Sequence, residues 1–197
     1  MINERILGRS GIKVSAMGLG CWAVGGPWNW QQPGEEGWPA GWGYTDDAES
    51  IKAIETALNM GVNFFDTAAN YGAGHSETLL GKALVGKRDQ VVIATKFGHV
   101  IDEGKKIVYG DESVISQNIQ KDCENSLRRL NTDRIDIYQL HEGGMSKKLV
   151  PAMIEELEKL VASGKIRWYG WSTDILNRAE AMLNGAHMAT VQFALNV

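Results

Sequence analysis

An alternation of two segment types constrains this chain more than any single residue does. From residue 62 onward, short runs rich in β-branched and aromatic residues take turns with longer stretches whose apolar residues recur at helical spacing. VNFFD (62–66), VVIATK (91–96), RIDIYQLH (134–141), IRWYGWS (166–172) and ATVQFALN (189–196) read as strands. Between them, SETLLGKAL (76–84), ESVISQNIQKDCENSLRRL (112–130), VPAMIEELEKLVASG (150–164) and DILNRAEAMLNG (174–185) read as helices. In the longest of these, Ile115, Ile119, Cys123 and Leu127 share one face. Pro151 and Gly164 stand where a helix start and a helix end favour them. Upstream, RILGRSGIKV reads as a hairpin turning at Arg9-Ser10-Gly11, and AMGLGCW (16–22) as a short buried strand. TDDAESIKAIETALNMG (45–61) reads as a helix capped by Thr45 and ended by Gly61.

Strands that alternate with helices imply a parallel sheet, and right-handed crossovers leave two main arrangements. An open doubly wound sheet predicts a glycine-rich phosphate loop running from the first strand straight into a helix. Here GLGCWAVGG (18–26) leads into a long loop, so the closing alternative, a (β/α)8 TIM barrel, is favoured. A complete barrel has eight units and typically ~250 residues. The expectation is therefore one domain over residues 1–197, an incomplete barrel of about six parallel strands and five helices after an N-terminal β-hairpin.

Composition removes several function classes. A formal charge of -4 offers no basic face to nucleic acid or anionic lipid. No apolar run approaches the ~20 residues of a membrane span, and MINERILGRS lacks a signal peptide's apolar core. Cys21 and Cys123 lack metal spacing and read as core residues of a reducing compartment, a disulfide being the minor alternative. These features predict a cytoplasmic protein.

In such barrels the chemistry gathers at the C-terminal strand ends. Asp66 ends the second strand, Lys96 the third, His141 the fourth and Ser172 the fifth, and Tyr71 follows Asp66 in a loop of small residues. Adjacent strands lie ~4.8 Å apart, so these side chains can converge. Taken singly, each has a plainer reading: a turn-capping Asp66, a snorkelling Lys96, a structural His141, a packing Tyr71. The joint pattern is harder to reach by accident.

With those residues in view, GVNFFDTAANYGAGHSETLLGKAL, VVIATKFG, RIDIYQLH, GKIRWYGWST and VQFALN resemble the aldo-keto reductases, in order and along essentially the whole chain. The resemblance implies a nicotinamide cofactor, usually NADPH, bound without a Rossmann fold, and reduction of an aldehyde or ketone. It implies Asp66, Tyr71, Lys96 and His141 as the catalytic set, with Tyr71 as general acid, Lys96 lowering the phenol's pKa and neutral His141 donating to the substrate oxygen. It also implies Ser172 and Gln192 at the carboxamide, with Gly20, Trp22, Asp66 and Thr173 at the cofactor and Trp22, Trp30 and His141 at the substrate. Thr173 stands where the family commonly has Asn. The family's full length implies that this chain is a piece of a longer protein whose missing part holds much of the grip on the cofactor's phosphates. Alone, it is expected to bind NADPH weakly, if at all.

The loop 23–45 carries Trp28, Trp30, Trp38 and Trp42 and is either a substrate lid or a packed Ω-like loop. His75 reads as a turn residue. His99, His187 and the acids at 102–103 show no metal-ligand spacing, so no metal is expected. The partner is a small carbonyl compound, with no nucleic acid and no membrane. Two alternatives remain: a catalytically weak nucleotide-binding barrel, and a hydrolase pairing Asp66 with a carboxylate such as Glu142.

Overall fold

The structure is a computed structural model that describes residues 3–195, so Asn196 of the expected last strand lies outside the described residues. In chain order the elements are β1 (Glu4–Ile6), β2 (Lys13–Ser15), β3 (Leu19–Gly20), β4 (Trp28–Trp30), β5 (Trp38–Ala40), α1 (Asp47–Asn59), β6 (Phe64–Asp66) and α2 (His75–Ala83). There follow β7 (Val92–Phe97), β8 (His99–Asp102), β9 (Ile107–Gly110), α3 (Ile115–Leu130), β10 (Ile135–Leu140), α4 (Val150–Ala162), β11 (Ile166–Ser172), α5 (Leu176–Ala179) and β12 (Met188–Gln192).

The main sheet has six strands in the order β12-β11-β10-β7-β6-β3, every neighbouring pair parallel. Spatial order follows chain order, and the sheet curls into part of a (β/α)8 barrel. The strand alternation assigns the two faces. Phe65, Ile93, Tyr138, Leu140 and Trp171 point outward into the main core with Leu80 of α2, Ile119 and Leu127 of α3, and Leu157 of α4. On the concave side, Phe64, Ala94, Ile137, Gln139 and Thr190 line an open cavity of about 480 Å³. The β1–β2 hairpin closes the lower end of that side, placing Ile12 and Val14 against Val92, Ala94 and Ile137.

Ile119 is fully buried at the centre of the face expected for α3. Ile119→Ala should cost about 2–5 kcal/mol, because the lost contacts leave a cavity that packed neighbours fill only partly. A shift of the urea midpoint at unchanged slope would register it.

Several boundaries differ from expectation. The cap of α1 is Asp46, whose carboxylate accepts from the Glu49 N–H at 2.9 Å, rather than Thr45. Asp47 and Glu49 then suit the positive end of that helix. Only Leu19–Gly20 of the expected strand 16–22 pairs in the ladder, although the Cys21 N–H still reaches Asp66 O at 2.8 Å. The expected helix 174–185 breaks into a single turn of α5 and a 3-10 turn at Glu180–Met182. Arg178, Ala179, Glu180, Ala181, Met182 and Leu183 all favour helix, so local preference does not account for the break. Both cysteines are buried and free. No helix of the described residues is long and apolar enough to cross a membrane.

The tryptophan-rich segment 23–45 carries two short strands rather than running as an irregular loop throughout. Its β4 and β5 pair antiparallel, and β4 joins the β8–β9 hairpin to form a second sheet, β5-β4-β9-β8. Trp28 is buried against Ala73 and Val108 there.

Candidate active site

Tyr71 sits on a loop whose backbone explains the small residues around it. Gly72, Ala73 and Gly74 all have positive φ, at 62°, 51° and 93°. A side chain with a Cβ tolerates that region poorly, which favours glycine at 72 and 74, while Ala73 adopts it despite its Cβ. The loop is also crowded from above: a Cβ on Gly25 would stand 2.6 Å from the Tyr71 carbonyl carbon. From the side, Lys106 Nζ donates to Gly72 O at 3.0 Å. These contacts hold the phenol over the strand ends.

Beneath it lies Lys96, 1% exposed. Its ammonium has three oxygen partners: Asp66 Oδ1 at 2.6 Å, Thr67 O at 2.9 Å and the Tyr71 hydroxyl at 3.3 Å. Three donors meet three acceptors, which a buried ammonium requires. Asp66 is the last residue of β6, Lys96 the penultimate residue of β7, and His141 the residue just past β10. The His141 N–H, donated to Phe97 O at 2.8 Å, continues the β7–β10 ladder and holds its ring beside Tyr71, 5.8 Å between centroids at 78°.

Electrostatics assign the protonation states. Burial raises the Tyr71 pKa above its ordinary value; the Lys96 ammonium opposes this and does not overcome it. Lys96 thus lowers the value in the sense the resemblance implied but burial outweighs it, and the phenol stays protonated at neutral pH. His141 is held well below the usual imidazole value by burial first, then by Lys96 and His99. Its ring is neutral, as expected.

The aromatic surroundings reach beyond the expected residues. Trp22 stacks on Tyr71 at 6.1 Å and 28°, and Trp42 meets Trp22 edge-on at 5.6 Å. Trp30 does not touch Tyr71 in this arrangement; it packs edge-on against His99 at 5.2 Å, and His99 packs on His141 at 5.5 Å. His99, considered above only for metal binding, is thus part of the site wall, and burial pushes its pKa down to about 4. Asn70, also unremarked in the sequence, lies with its Oδ1 3.1 Å from His141 Nδ1. A polar residue directly before the tyrosine was the available signal. His75 is the first residue of α2 rather than a turn residue, and its Nε2 lies 2.8 Å from Asp47 Oδ1. Among the described residues no cluster of His, Cys, Asp or Glu has metal-binding geometry.

Beside His141 lies an open cleft of about 400 Å³ lined by Gly143, Ser172, Thr173 and Gln192. Ser172 and Gln192 face each other across the β11–β12 register. Gln139 Nε2 donates to Gln192 Oε1 at 2.8 Å, which orients that amide. A hydroxyl beside an oriented amide suits a carboxamide. Thr173 differs: its hydroxyl donates to Gly143 O at 3.0 Å and accepts from Ile175 N at 3.0 Å, so it serves the backbone. Gly20 lies opposite Asp66 in the β3–β6 register.

The model of the Aldo/keto reductase family matches residues 16–197. The chain belongs to the aldo/keto reductase family. It is 36% identical to "Aldo-keto reductase YhdN" of Bacillus subtilis over 192 residues, 95% of this chain and 52% of that protein. Among solved structures it superposes on aldo-keto reductase AKR11C1 from Bacillus halodurans in its holo form with a TM-score of 0.82. The identity is 32%, over 99% of this chain and 58% of that one. An aldo-keto reductase from Klebsiella pneumoniae in complex with NADPH gives a TM-score of 0.71 at 28% identity, over 97% of this chain and 58% of that one. This aldo/keto reductase chain thus spans little more than half the length of the relatives it matches.

Proposed function

We propose that the protein is an NADPH-dependent oxidoreductase that reduces an aldehyde or ketone to an alcohol, with Tyr71 as the general acid. The observation that carries this reading is the 3.3 Å approach of the Tyr71 hydroxyl to Lys96 Nζ, itself seated on Asp66. NADPH, when bound, supplies the hydride for the carbonyl carbon. The chain's own residues handle the oxygen. As negative charge builds there, the Tyr71 phenol hydrogen-bonds it and gives up its proton, and the adjacent ammonium stabilises the phenolate left behind. Solvent then returns a proton to Tyr71. Asp66 keeps the ammonium in place, and Ser172 and Gln192 are assigned to the nicotinamide carboxamide. Trp22 and Trp42 form an apolar wall on one side of the phenol. Asp66 is engaged by Lys96 at 2.6 Å, which leaves it poorly suited to the hydrolase alternative.

The test follows NADPH consumption by its near-ultraviolet absorbance with a simple aromatic aldehyde. Carbonyl-dependent loss with matching alcohol is the expected result; tight NADPH binding without turnover would favour the binding-module alternative.

The raised Tyr71 pKa and the lowered His141 and His99 values set the pH dependence. The phenol must be protonated for reduction, and its pKa lies above the ordinary ~10. Reduction should therefore run flat through neutral pH and decline only in the alkaline range. No step should occur near ~6.5, where a free histidine titrates. A pH–rate profile for kcat/KM checks both, and a histidine-like step near neutrality would count against the neutral-ring assignment.

A further inference from the structure

We propose that Lys106 is a positioning residue: carried on the second sheet, its ammonium fixes the loop of Tyr71 and so keeps the phenol aimed at the reacting oxygen. This rests on the reductase reading and deepens it, by giving the β5-β4-β9-β8 sheet a task in the same reaction.

The Tyr71 loop has little conformational preference of its own. Gly72 and Gly74 flank Ala73, all three at positive φ, and glycine enters and leaves that region with equal ease. Such a loop keeps one path only where its surroundings hold it. Gly25 presses on it from one side, since a Cβ on Gly72 would collide with the Gly25 carbonyl. The Gly72 carbonyl itself accepts twice, from the His75 N–H at 3.3 Å and from Lys106 Nζ at 3.0 Å. The first bond belongs to the turn into α2. The second reaches the loop from the other sheet.

Lys106 is held in turn. It ends the β8–β9 turn at a φ of 57°, a left-handed conformation unfavourable to a residue with a Cβ. Its carbonyl accepts from the Asn29 N–H of β4 at 2.8 Å, and the next residue, Ile107, lies opposite Asn29 in the β4–β9 register. The side chain is half-buried. The sheet thus presents an anchored donor to the residue directly after Tyr71.

Placement governs the rate at such a site, where an error of about 1 Å costs up to roughly 10²-fold. The phenol must meet an oxygen whose charge appears only as hydride arrives, and it keeps its 3.3 Å approach to Lys96 Nζ only while its loop holds. Lys106 acts through Gly72, not on the substrate.

The experiment uses the full protein with NADPH and a simple aromatic aldehyde. Lys106→Met keeps the side chain's length and loses the donor; Lys106→Arg keeps a donor. Lys106→Asn is an independent truncation, because Asn tolerates the left-handed turn yet falls short of Gly72. Lys106→Met and Lys106→Asn should each slow the single-turnover rate about tenfold. Both should enlarge its solvent deuterium isotope effect, since a displaced phenol makes proton transfer more limiting. NADPH affinity should stay as in the wild type, and Lys106→Arg should recover most of the rate. Rates within about twofold of the wild type in both truncations overturn the proposal. So does an unchanged isotope effect, no recovery in Lys106→Arg, or a matching loss of NADPH affinity. All of these leave the reductase reading standing. A wild type that reduces no carbonyl sinks that underlying reading instead.

Discussion

Tyr71→Phe should lower carbonyl reduction by roughly 10²–10⁴-fold while leaving NADPH binding nearly unchanged. The substitution removes one oxygen. The ring it leaves can still stack under Trp22 and beside His141, so the walls persist. What is lost is the proton donor and the group through which Lys96 acts on the reacting oxygen. The loss should fall on kcat and kcat/KM alike, because the interaction matters where charge develops. Fluorescence titration with NADPH separates the two effects. Near-normal turnover would remove Tyr71 from the mechanism.

Lys96→Met should lower activity and, separately, stability. The side chain lies 1% exposed, and it neutralises Asp66, itself only 17% exposed. Removing one partner of a buried pair strands the other charge, at a cost of about 3–5 kcal/mol. The signature is a double-mutant comparison. Asp66→Asn combined with Lys96→Met should be more stable than Lys96→Met alone, since the stranded carboxylate is gone, while both proteins remain inactive. Urea denaturation provides the ranking. A double variant no more stable than the single one would mean that the pair is not electrostatically coupled as drawn.

Much of this site was legible in the sequence because barrel geometry converts chain position into spatial position. Asp66, Lys96 and His141 fall at the ends of consecutive strands, and a short, largely apolar run with a polar terminus reveals each. The small residues around Tyr71 were legible as a loop; the three successive positive φ values there were not. The second sheet was hidden because β4 and β9 pair across some 78 residues of chain, and each is a three- or four-residue segment with no strong pattern of its own. His99 and Asn70 were missed for a similar reason. Their relation to His141 is a matter of rotamer and loop path, which residue spacing does not encode. The direction of the Tyr71 shift also depended on burial, and the pairing with Lys96 alone pointed the other way.

A crystal structure of the protein with NADP and an unreactive carbonyl analogue tests the central claim most directly. The carbonyl oxygen should lie within hydrogen-bond reach of the Tyr71 hydroxyl, about 2.6–3.2 Å, with Lys96 Nζ still between Asp66 and that phenol and the carboxamide against Ser172 and Gln192. A Tyr71 hydroxyl turned away from Lys96, with the carbonyl bound elsewhere, would contradict the account.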